Sequence, residues 1–333
     1  MSDCQKGDDD PMRVLVAYDG STSAKQARDL IADLKPPDGM AITVASVLPP
    51  LPALSGAAMP YDAAEAERHL IDELESELEG ASRALAGPGR TVERRVLVGR
   101  PADAILAEAS RLDADLIAMG SRGHGPFKSA LLGSVSTEVV NASFRPVLVA
   151  RGSSLRRVLL ATDGTDTSAL ALEIVATWPI FANVEITVLS VSEPAMAWAT
   201  LDPATTSAYL LEREAELADR RRAIHAELAR AGADMLREAG RSVTDEVRVG
   251  NPAHEIVLEA DAKGADLIVT GSRRSSARFP GLIGSVARNV LQHAPASVMV
   301  VRHPASAAAE RAALDELSAA GGDRTGGLDE VRT

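Results

Sequence analysis

The chain has 333 residues, of which 46% are hydrophobic and 3% aromatic, and its formal net charge is −12. This length predicts two or more domains, and the composition predicts cores built from Ala, Val, Leu and Ile. The acidic balance and the lack of a dense Lys/Arg run argue against nucleic acid or an anionic membrane as the main partner.

The only cysteine, Cys4, lies in a polar N-terminal stretch, so no disulfide can form within one chain. This fits a reducing compartment. No apolar run approaches the length of a membrane span, and the acidic N-terminus is unlike a signal peptide. The six histidines have no metal-ligand spacing, so no metal site is predicted. We expect a soluble cytoplasmic protein without membrane insertion.

Short apolar strands alternate with helical patterns along the first half of the chain. Pro101 opens one of these helices in its first turn, where proline is tolerated. The predicted elements are a strand at 14–18, a helix at 21–34, a strand at 42–48, a helix at 62–85, a strand at 91–98, the helix from Pro101, a strand at 116–119, a helix at 134–141 and a strand at 147–150.

The second half repeats the first. Residues 99–151 match residues 250–302 without gaps at an offset of 151, and 21 of the 53 pairs are identical. Upstream, "RVLVAYDGSTSA" from Arg13 matches "RVLLATDGTDTSA" from Arg157 at an offset near 144, so the second copy carries extra residues around 192–240. A repeat of this length indicates a duplicated domain.

The second copy has the same order of elements, with a longer second helix. Apolar, β-branched strands between helices indicate a doubly wound α/β fold, with five parallel strands in each copy. The predicted strands of the second copy lie near 157–162, 184–191, 243–249, 266–270 and 297–301, and its long helix at 204–239. The predicted organisation is a disordered N-terminus at 1–11, domains at 12–152 and 155–303, and a flexible tail at 304–333 with a short helix near 307–319.

Ligands of such sheets bind beyond the carboxyl ends of the strands, where the strand order reverses. The first strand of each copy ends just before an aspartate, Asp19 or Asp163, and the fourth ends at Gly120 or Gly271. Each copy therefore places an acidic residue and a glycine at the predicted mouth.

The stretch "GSRGHGPFKSALLGS" from Gly120 to Ser134 has the composition of a phosphate-binding loop. Glycines let several backbone N–H groups close on an anion, and Gly133 and Ser134 fall directly before a helix whose N-terminus favours a phosphate. Ser134 and Ser136 add hydroxyl groups. Asp19 suits a ribose hydroxyl, an adenine amine or a magnesium ion bridging the phosphates. His124 and Lys128 lie in the same loop.

Plainer interpretations stay open. Asp19 and Asp163 can be ordinary helix caps, a glycine-rich loop can be a connector, and Ser134 and Ser285 can cap helices without a ligand. The Walker, dinucleotide and nucleophile-elbow motifs are absent. No nucleophile, general base or arginine finger is evident, so no catalytic residue is predicted and ATP hydrolysis is expected to be slow at most.

The spacing Gly120, two residues, Gly123, nine residues, Gly133, Ser134 resembles the nucleotide-binding motif of the universal stress proteins. The resemblance covers roughly 12–152 and 155–303, and implies a tandem member with a Rossmann-like fold. Family members with this motif bind ATP. In the first copy it implies that Ala17 and Asp19 lie by the adenosine and Val47 by the adenine. Ribose and phosphates would be held by Gly120, Gly123, Gly133, Ser134, Val135 and Ser136.

The second copy departs from this pattern. Asp163, Val191, Gly271, Gly284 and Ser285 match, but Arg274 takes the place of the second glycine. A side chain there can fill the phosphate site or hold a phosphate in another pose, and it is strained if the backbone needs a positive φ. We expect ATP, with or without Mg²⁺, in the first copy, and leave the second copy open.

The family also implies pairing through the apolar last strands, so that the two copies form a pseudo-twofold dimer within one chain. Further homodimerisation is left open. The predicted function is an ATP-binding regulator of stress adaptation whose occupancy sets a conformation that an unknown protein partner senses. The alternatives are a scaffold that uses no nucleotide and a slow ATPase. ADP or a cyclic nucleotide is not excluded as the ligand.

Overall fold

The computed structural model describes residues 11–34, 39–50, 63–123, 132–194, 208–272 and 283–302. The chain divides into two compact units, one covering the described residues up to Ser153 and the other running from Ser154 to Arg302. We call them domain one and domain two. Each contains five parallel strands connected by helices, which confirms the predicted α/β class.

Domain one has the strand order β3-β2-β1-β4-β5, and every neighbouring pair in it is parallel. Its elements are β1 (Met12–Ala17), α1 (Thr22–Asp33), β2 (Met40–Leu48), α2 (Ala63–Leu85), β3 (Arg90–Val98), α3 (Pro101–Arg111), β4 (Leu116–Gly120), α4 (Ser134–Ala142) and β5 (Val147–Ala150).

Domain two repeats this order as β8-β7-β6-β9-β10, again with parallel pairing throughout. Among the described residues of this domain, a short 3-10 turn, Pro179–Phe181, was not predicted from the sequence. The elements are β6 (Arg157–Ala161), α5 (Asp166–Thr177), β7 (Glu185–Ser192), α6 (Ala208–Glu238), β8 (Ser242–Val249), α7 (Pro252–Lys263), β9 (Leu267–Gly271), α8 (Ser285–His293) and β10 (Ser297–Val301).

The central strands are mainly apolar beyond their first residues, because helices cover both faces of each sheet. Leu15 in β1, Ile117 in β4 and Leu159 in β6 are completely buried. By contrast, the outer strand β3 exposes charged side chains such as Glu93 and Arg94. Charges on the outermost strand of a sheet oppose pairing with a further strand.

The strand order places the ligand crevice. In domain one, β1 pairs with β2 on one side and with β4 on the other. The chain adds β2 and β3 on one side of β1 and then crosses back to add β4 and β5 on the other side, so the strand order reverses between β1 and β4. The loops that follow these two strands diverge there and leave a crevice. The equivalent crevice of domain two follows β6 and β9.

The second helix of domain two is longer at its N-terminal end. It has 31 residues, against 23 in α2. The buried residues Leu78 and Leu85 of α2 correspond to the buried Ala229 and Leu236 of α6 at an offset of 151. Because this is the offset of the downstream repeat, the extra residues of the second copy precede the packed part of α6.

Gly120 ends β4 where the first turn of α1 packs directly against it. A Cβ atom built on Gly120 would lie 2.6 Å from the backbone N of Ala24 and 2.6 Å from the backbone C of Ser23. In domain two, a Cβ on Gly271 would lie 2.7 Å from the backbone of Thr167. Both glycines are therefore required by the packing of a helix on a strand end.

We expect Gly120→Ala and Gly271→Ala each to lower the free energy of unfolding by about 1–3 kcal/mol, because backbone atoms must move to admit the methyl group. Urea denaturation measures this change. The control is Gly80→Ala in α2, where a Cβ would have no neighbour within 4 Å. That change should stabilise the helix by about 0.5–1 kcal/mol. A neutral Gly120→Ala would contradict the packing argument.

Candidate functional site

The carboxyl end of β1 forms the floor of the domain-one mouth. Ala17 is buried and lies in register with Ala45 on β2 and Met119 on β4. The next residue, Tyr18, donates its backbone N–H to the Ala45 carbonyl at 2.8 Å. The polypeptide leaves the sheet at this point and presents Asp19 at the surface.

Asp19 holds the turn into α1, but it is not the cap of that helix. Its Oδ1 accepts the backbone N–H of Ser21 at 3.1 Å, and Gly20 makes the turn with a φ of 75°. The N-cap is Ser21, whose Oγ accepts the Ala24 N–H at 3.2 Å. The capping interpretation of Asp19 is therefore wrong: Asp19 lies two residues before the N-cap, and its carboxylate accepts the N–H of the N-cap residue itself.

Two serines of the same turn hold the beginning of the glycine-rich loop. The hydroxyls of Ser21 and Ser23 both donate to the Arg122 carbonyl, the former at 3.1 Å. The Arg122 N–H donates to Ser23 Oγ at 3.1 Å. The loop after β4 is thus tied at its first residues to the same turn that carries Asp19.

Gly123 lies against the Asp19 carboxylate. A Cβ atom on Gly123 would be 2.5 Å from Asp19 Oδ2, which is closer than any real Cβ contact. The backbone at Gly123 is not among those with positive φ. The strain expected for a non-glycine residue at this position is therefore absent, and a side chain there would instead displace the end of the Asp19 side chain.

The other end of the loop delivers the N-terminus of α4 to the same place. The Gly133 N–H donates to the Ser121 carbonyl at 2.8 Å, and Gly133 caps α4 without a side-chain hydrogen bond. Ser134 is exposed and Val135 half-buried. Helix N-termini with amides not capped by a side chain favour anions.

Ser136 is placed differently from the sequence prediction. Its side chain is buried, and its hydroxyl donates to the Gly120 carbonyl at 2.9 Å. This hydroxyl fastens α4 to the end of β4 and is not presented to the mouth. The corresponding residue of domain two is Ala287, which has no hydroxyl.

Val47 borders the mouth on its other side. It is half-buried near the end of β2, in register with Leu97 of β3. The structure therefore gathers the predicted residues of domain one at the ends of β1, β2 and β4 and at the start of α4.

Sequence reasoning missed a pair of arginines at this edge. Arg151 directly follows β5, whose Ala150 is in register with Gly120. Burial, together with the positive charge of Arg122, lowers the pKa of Arg151 to about 10. Two positive charges near the end of β4 raise the local potential in favour of an anion. The available signal was the repeat, which has arginine again at 273 and 302.

The mouth of domain two is built on the same backbone plan with different polar contacts. Asp163 Oδ1 accepts both the backbone N–H of Thr165 at 3.1 Å and its hydroxyl at 2.6 Å. Gly271 ends β9. At the other end of the loop, just before α8, the Gly284 N–H donates to Ser272 Oγ at 3.0 Å. Ser285 begins α8, and Val191 is buried near the end of β7.

His225 of α6 adds a titratable group to this second mouth. Its Nδ1 lies 2.8 Å from Ser190 Oγ, and that hydroxyl donates to the Thr162 carbonyl at 2.8 Å. Because the serine proton is used there, the ring donates from Nδ1. Burial lowers the pKa of His225, and Asp163 and Glu193 oppose this shift. At an offset of 151, domain one has Leu74 at this position.

Some predicted residues lie outside the described residues. They are Arg274 in the loop after β9, and His124 and Lys128 in the loop after β4. Among the described residues, no group of three or more His, Cys, Asp or Glu side chains is arranged to hold a metal ion. In the same part of the chain, every helix is too short or too polar to cross a bilayer.

The family model described as "Universal stress protein family" matches the chain twice, over residues 11–151 and 154–302. The chain belongs to the universal stress protein family. The two matches make it a tandem member, which confirms the predicted resemblance to this family.

Relatives and solved structures agree with this assignment. A universal stress protein of Mycobacterium tuberculosis is 31% identical over 251 residues, covering 71% of this chain and 76% of that protein. One from Thermus aquaticus is 37% identical over 138 residues, covering 41% of this chain and 97% of that protein. The crystal structure of a universal stress protein from Archaeoglobus fulgidus has a TM-score of 0.61 at 22% identity, covering 88% and 96% of the two chains. At 22% identity, the similarity to this crystal structure supports the fold alone.

The lowered pKa of His225 gives this tandem universal stress protein a pH-dependent term in its stability. Because the folded chain binds the proton less readily than the unfolded chain, stability falls as the pH drops through the ordinary histidine value of about 6.5. The loss is complete below the pKa of the folded state. We expect His225→Leu, which introduces the residue of domain one, to reduce this loss.

Urea denaturation of both proteins between pH 8 and pH 5, in steps of about half a pH unit, measures the difference. His254→Gln, at an exposed position of α7, is the control. Equal pH dependence of wild type and His225→Leu would show that burial of His225 has no thermodynamic consequence.

Proposed function

We propose that domain one binds an adenine nucleotide, ATP in the first instance, between Asp19 and the N-terminus of α4, and that occupancy regulates a response to stress. The observation that carries the proposal is the absence of a side chain at Gly123. That absence leaves room directly beside the Asp19 carboxylate, at the point where a Cβ would lie 2.5 Å from Oδ2.

The two ends of the site have opposite electrostatic character, as a nucleotide requires. Asp19 is an acceptor for ribose hydroxyls, and it would repel a phosphate. The start of α4, with Gly133 as a cap without a side chain and Ser134 exposed, favours the phosphates. The charges of Arg122 and Arg151 lie near the same strand ends, and attract an anion. Val47 and Ala17 supply apolar and backbone surface for the base.

Mg²⁺ would be held mainly by the phosphates of the nucleotide. The described residues offer no preformed cluster of metal ligands, and magnesium commonly binds through substrate phosphates with one or two carboxylates. Asp19 is the carboxylate available near the loop.

Regulation follows from the hydrogen bonds that tie the loop to α1. A ligand that contacts Gly123 and Ser134 also acts on Arg122, which Ser21 and Ser23 hold from the first turn of α1. Binding energy that differs between two loop conformations shifts their populations. A protein partner that recognises one of the conformations would then sense occupancy without hydrolysis.

Domain two is proposed to bind the same ligand more weakly or not at all. Arg274 brings a long side chain to the position at which domain one has Gly123. Asp163 also already accepts two hydrogen bonds from Thr165, so its Oδ1 has less capacity for a ribose hydroxyl.

Gly123→Ala tests the site with a single methyl group. We expect the dissociation constant of domain one for Mg-ATP to rise by about tenfold or more in isothermal titration calorimetry, because the methyl group displaces Asp19. Gly123→Arg, which copies domain two, should abolish binding there. Gly80→Ala adds the same methyl in open space and should leave the affinity within about twofold of wild type. Unchanged binding in both Gly123 variants would remove the loop from the site.

The stoichiometry of bound nucleotide tests the asymmetry of the two domains. The protein is purified without added nucleotide and denatured, and the released nucleotides are identified and counted by chromatography. About one ATP per chain is expected. Two per chain would contradict the proposed role of Arg274. None, together with no binding of added Mg-ATP, would favour the nucleotide-independent scaffold.

The identity of the nucleotide needs a competition experiment. A crystal structure of another universal stress protein contains cAMP, so ADP and cAMP are titrated beside ATP. The α4 N-terminus and the two arginines favour the ligand with the larger negative charge. We therefore expect ATP to bind more tightly than cAMP, and the reverse order would assign the site to a cyclic nucleotide.

A further inference from the structure

Helix α6 of domain two exposes a row of large apolar side chains. Ile224 is 60% exposed, Met235 is 45% exposed and Leu217 is 37% exposed. They are separated by 7 and 11 residues, which is close to two and three helical turns, so they lie on one side of the helix. Leu228 lies on the same side, half-buried against Gly164.

The fold does not require apolar residues there. At an offset of 151, helix α2 of domain one has Glu73 and Glu77 in place of Ile224 and Leu228. Both glutamates are exposed. Two domains of the same architecture thus differ at these two positions, which are acidic in domain one and aliphatic in domain two.

The apolar side chains belong to a regular pattern. The steps between its members alternate between four and three residues, which is the spacing of positions that meet in a coiled coil. We call this set the α6 seam. Its members are Leu217, Arg221, Ile224, Leu228, Ala231 and Met235.

The α6 seam is symmetric about residue 226. In an antiparallel pair of α6 helices centred there, Leu217 of one copy faces Met235 of the other, and Ile224 faces Leu228. Arg221 faces Ala231, so the long side chain meets a small one. This is the self-complementarity that a twofold interface demands, where residue i contacts j and j contacts i.

The charges beside the seam change sign at its centre. Arg213 and Arg220 precede the centre, and Glu227 and Asp234 follow it at the same heptad position. All four are exposed. Antiparallel packing about residue 226 brings Arg220 of each helix next to Asp234 of the other, and it brings the two Glu227 side chains together. Parallel packing would instead set the two Arg221 side chains of the seam against each other.

We propose that two copies of this chain associate through antiparallel α6 seams. The occupant is a second copy because the pattern of side-chain sizes is complementary to itself and Arg220 meets Asp234, a symmetry that an unrelated partner would not require. One helix pair buries less area than most permanent dimers do. We therefore expect a dimer that dissociates on dilution.

Sedimentation equilibrium of the full chain between about 1 and 200 µM tests association, because a small interface gives micromolar affinity. The wild type should pass from the mass of one chain to that of two chains. Ile224→Glu, which introduces the residue of domain one, should stay at the mass of one chain. Leu258→Glu changes a leucine of α7 that is 49% exposed, and it should behave as the wild type.

A wild type that stays monomeric over this range would overturn the proposal, and so would an Ile224→Glu variant that dimerises as the wild type does. Circular dichroism of Ile224→Glu checks that the variant is folded. Because position 224 is exposed, we expect its spectrum to match that of the wild type.

Cysteine cross-linking tests the orientation. In a Cys4→Ser background, Leu217→Cys and Met235→Cys proteins should form a disulfide-linked dimer when they are mixed and mildly oxidised. Each alone should not, because identical positions lie about 27 Å apart in the antiparallel pair, at 1.5 Å per residue. Efficient cross-linking of Leu217→Cys alone, or none in the mixture, would overturn the antiparallel register.

Discussion

The candidate site of each domain depends on one close approach, between the last residue of the fourth strand and the first turn of the first helix. At Gly120 the gap is too small for a methyl group, because the backbone of Ser23 and Ala24 occupies the space. This contact brings the turn after β1 within reach of the loop after β4. Ser21 and Ser23 can then hold Arg122, and Gly123 comes to lie beside Asp19. Without it the two halves of the mouth would be separate loops.

The sequence was sufficient for the fold and for the neighbourhood of the site. Apolar, β-branched strands alternating with helices predicted the parallel sheets, and the switch-point rule placed Asp19 and Gly120 at the same mouth. It was insufficient for the direction of individual side chains. Ser136 carries a hydroxyl two residues into a helix that faces the mouth, yet the hydroxyl bonds to the Gly120 carbonyl. Ser21, rather than Asp19, caps α1. Such choices depend on which nearby acceptor a rotamer reaches, and spacing does not encode that.

The reason for a glycine also differs from one position to the next. Gly20 and Gly164 have positive φ, so their conformation needs glycine. Gly120 and Gly271 are limited by backbone packing, and that limit holds whether or not a ligand binds. Gly123 has neither constraint, since its neighbour is the carboxylate of Asp19. A glycine whose close neighbour is an exposed carboxylate, and not packed backbone, is therefore a better candidate for a ligand-contact position than a glycine required by the fold.

After a domain is duplicated, the sequence of one copy can change at positions that are constrained in the other copy. Domain two has His225 where domain one has Leu74, and Leu228 where it has Glu77. Both changes fall on the part of α6 next to the second mouth, since His225 bonds to Ser190 and Leu228 lies against Gly164. Leu228 is also a member of the α6 seam. A second copy packed on that seam would contact Leu228, which lies against the turn that carries Asp163. Association through the seam and ligand binding at the second mouth would therefore be thermodynamically coupled.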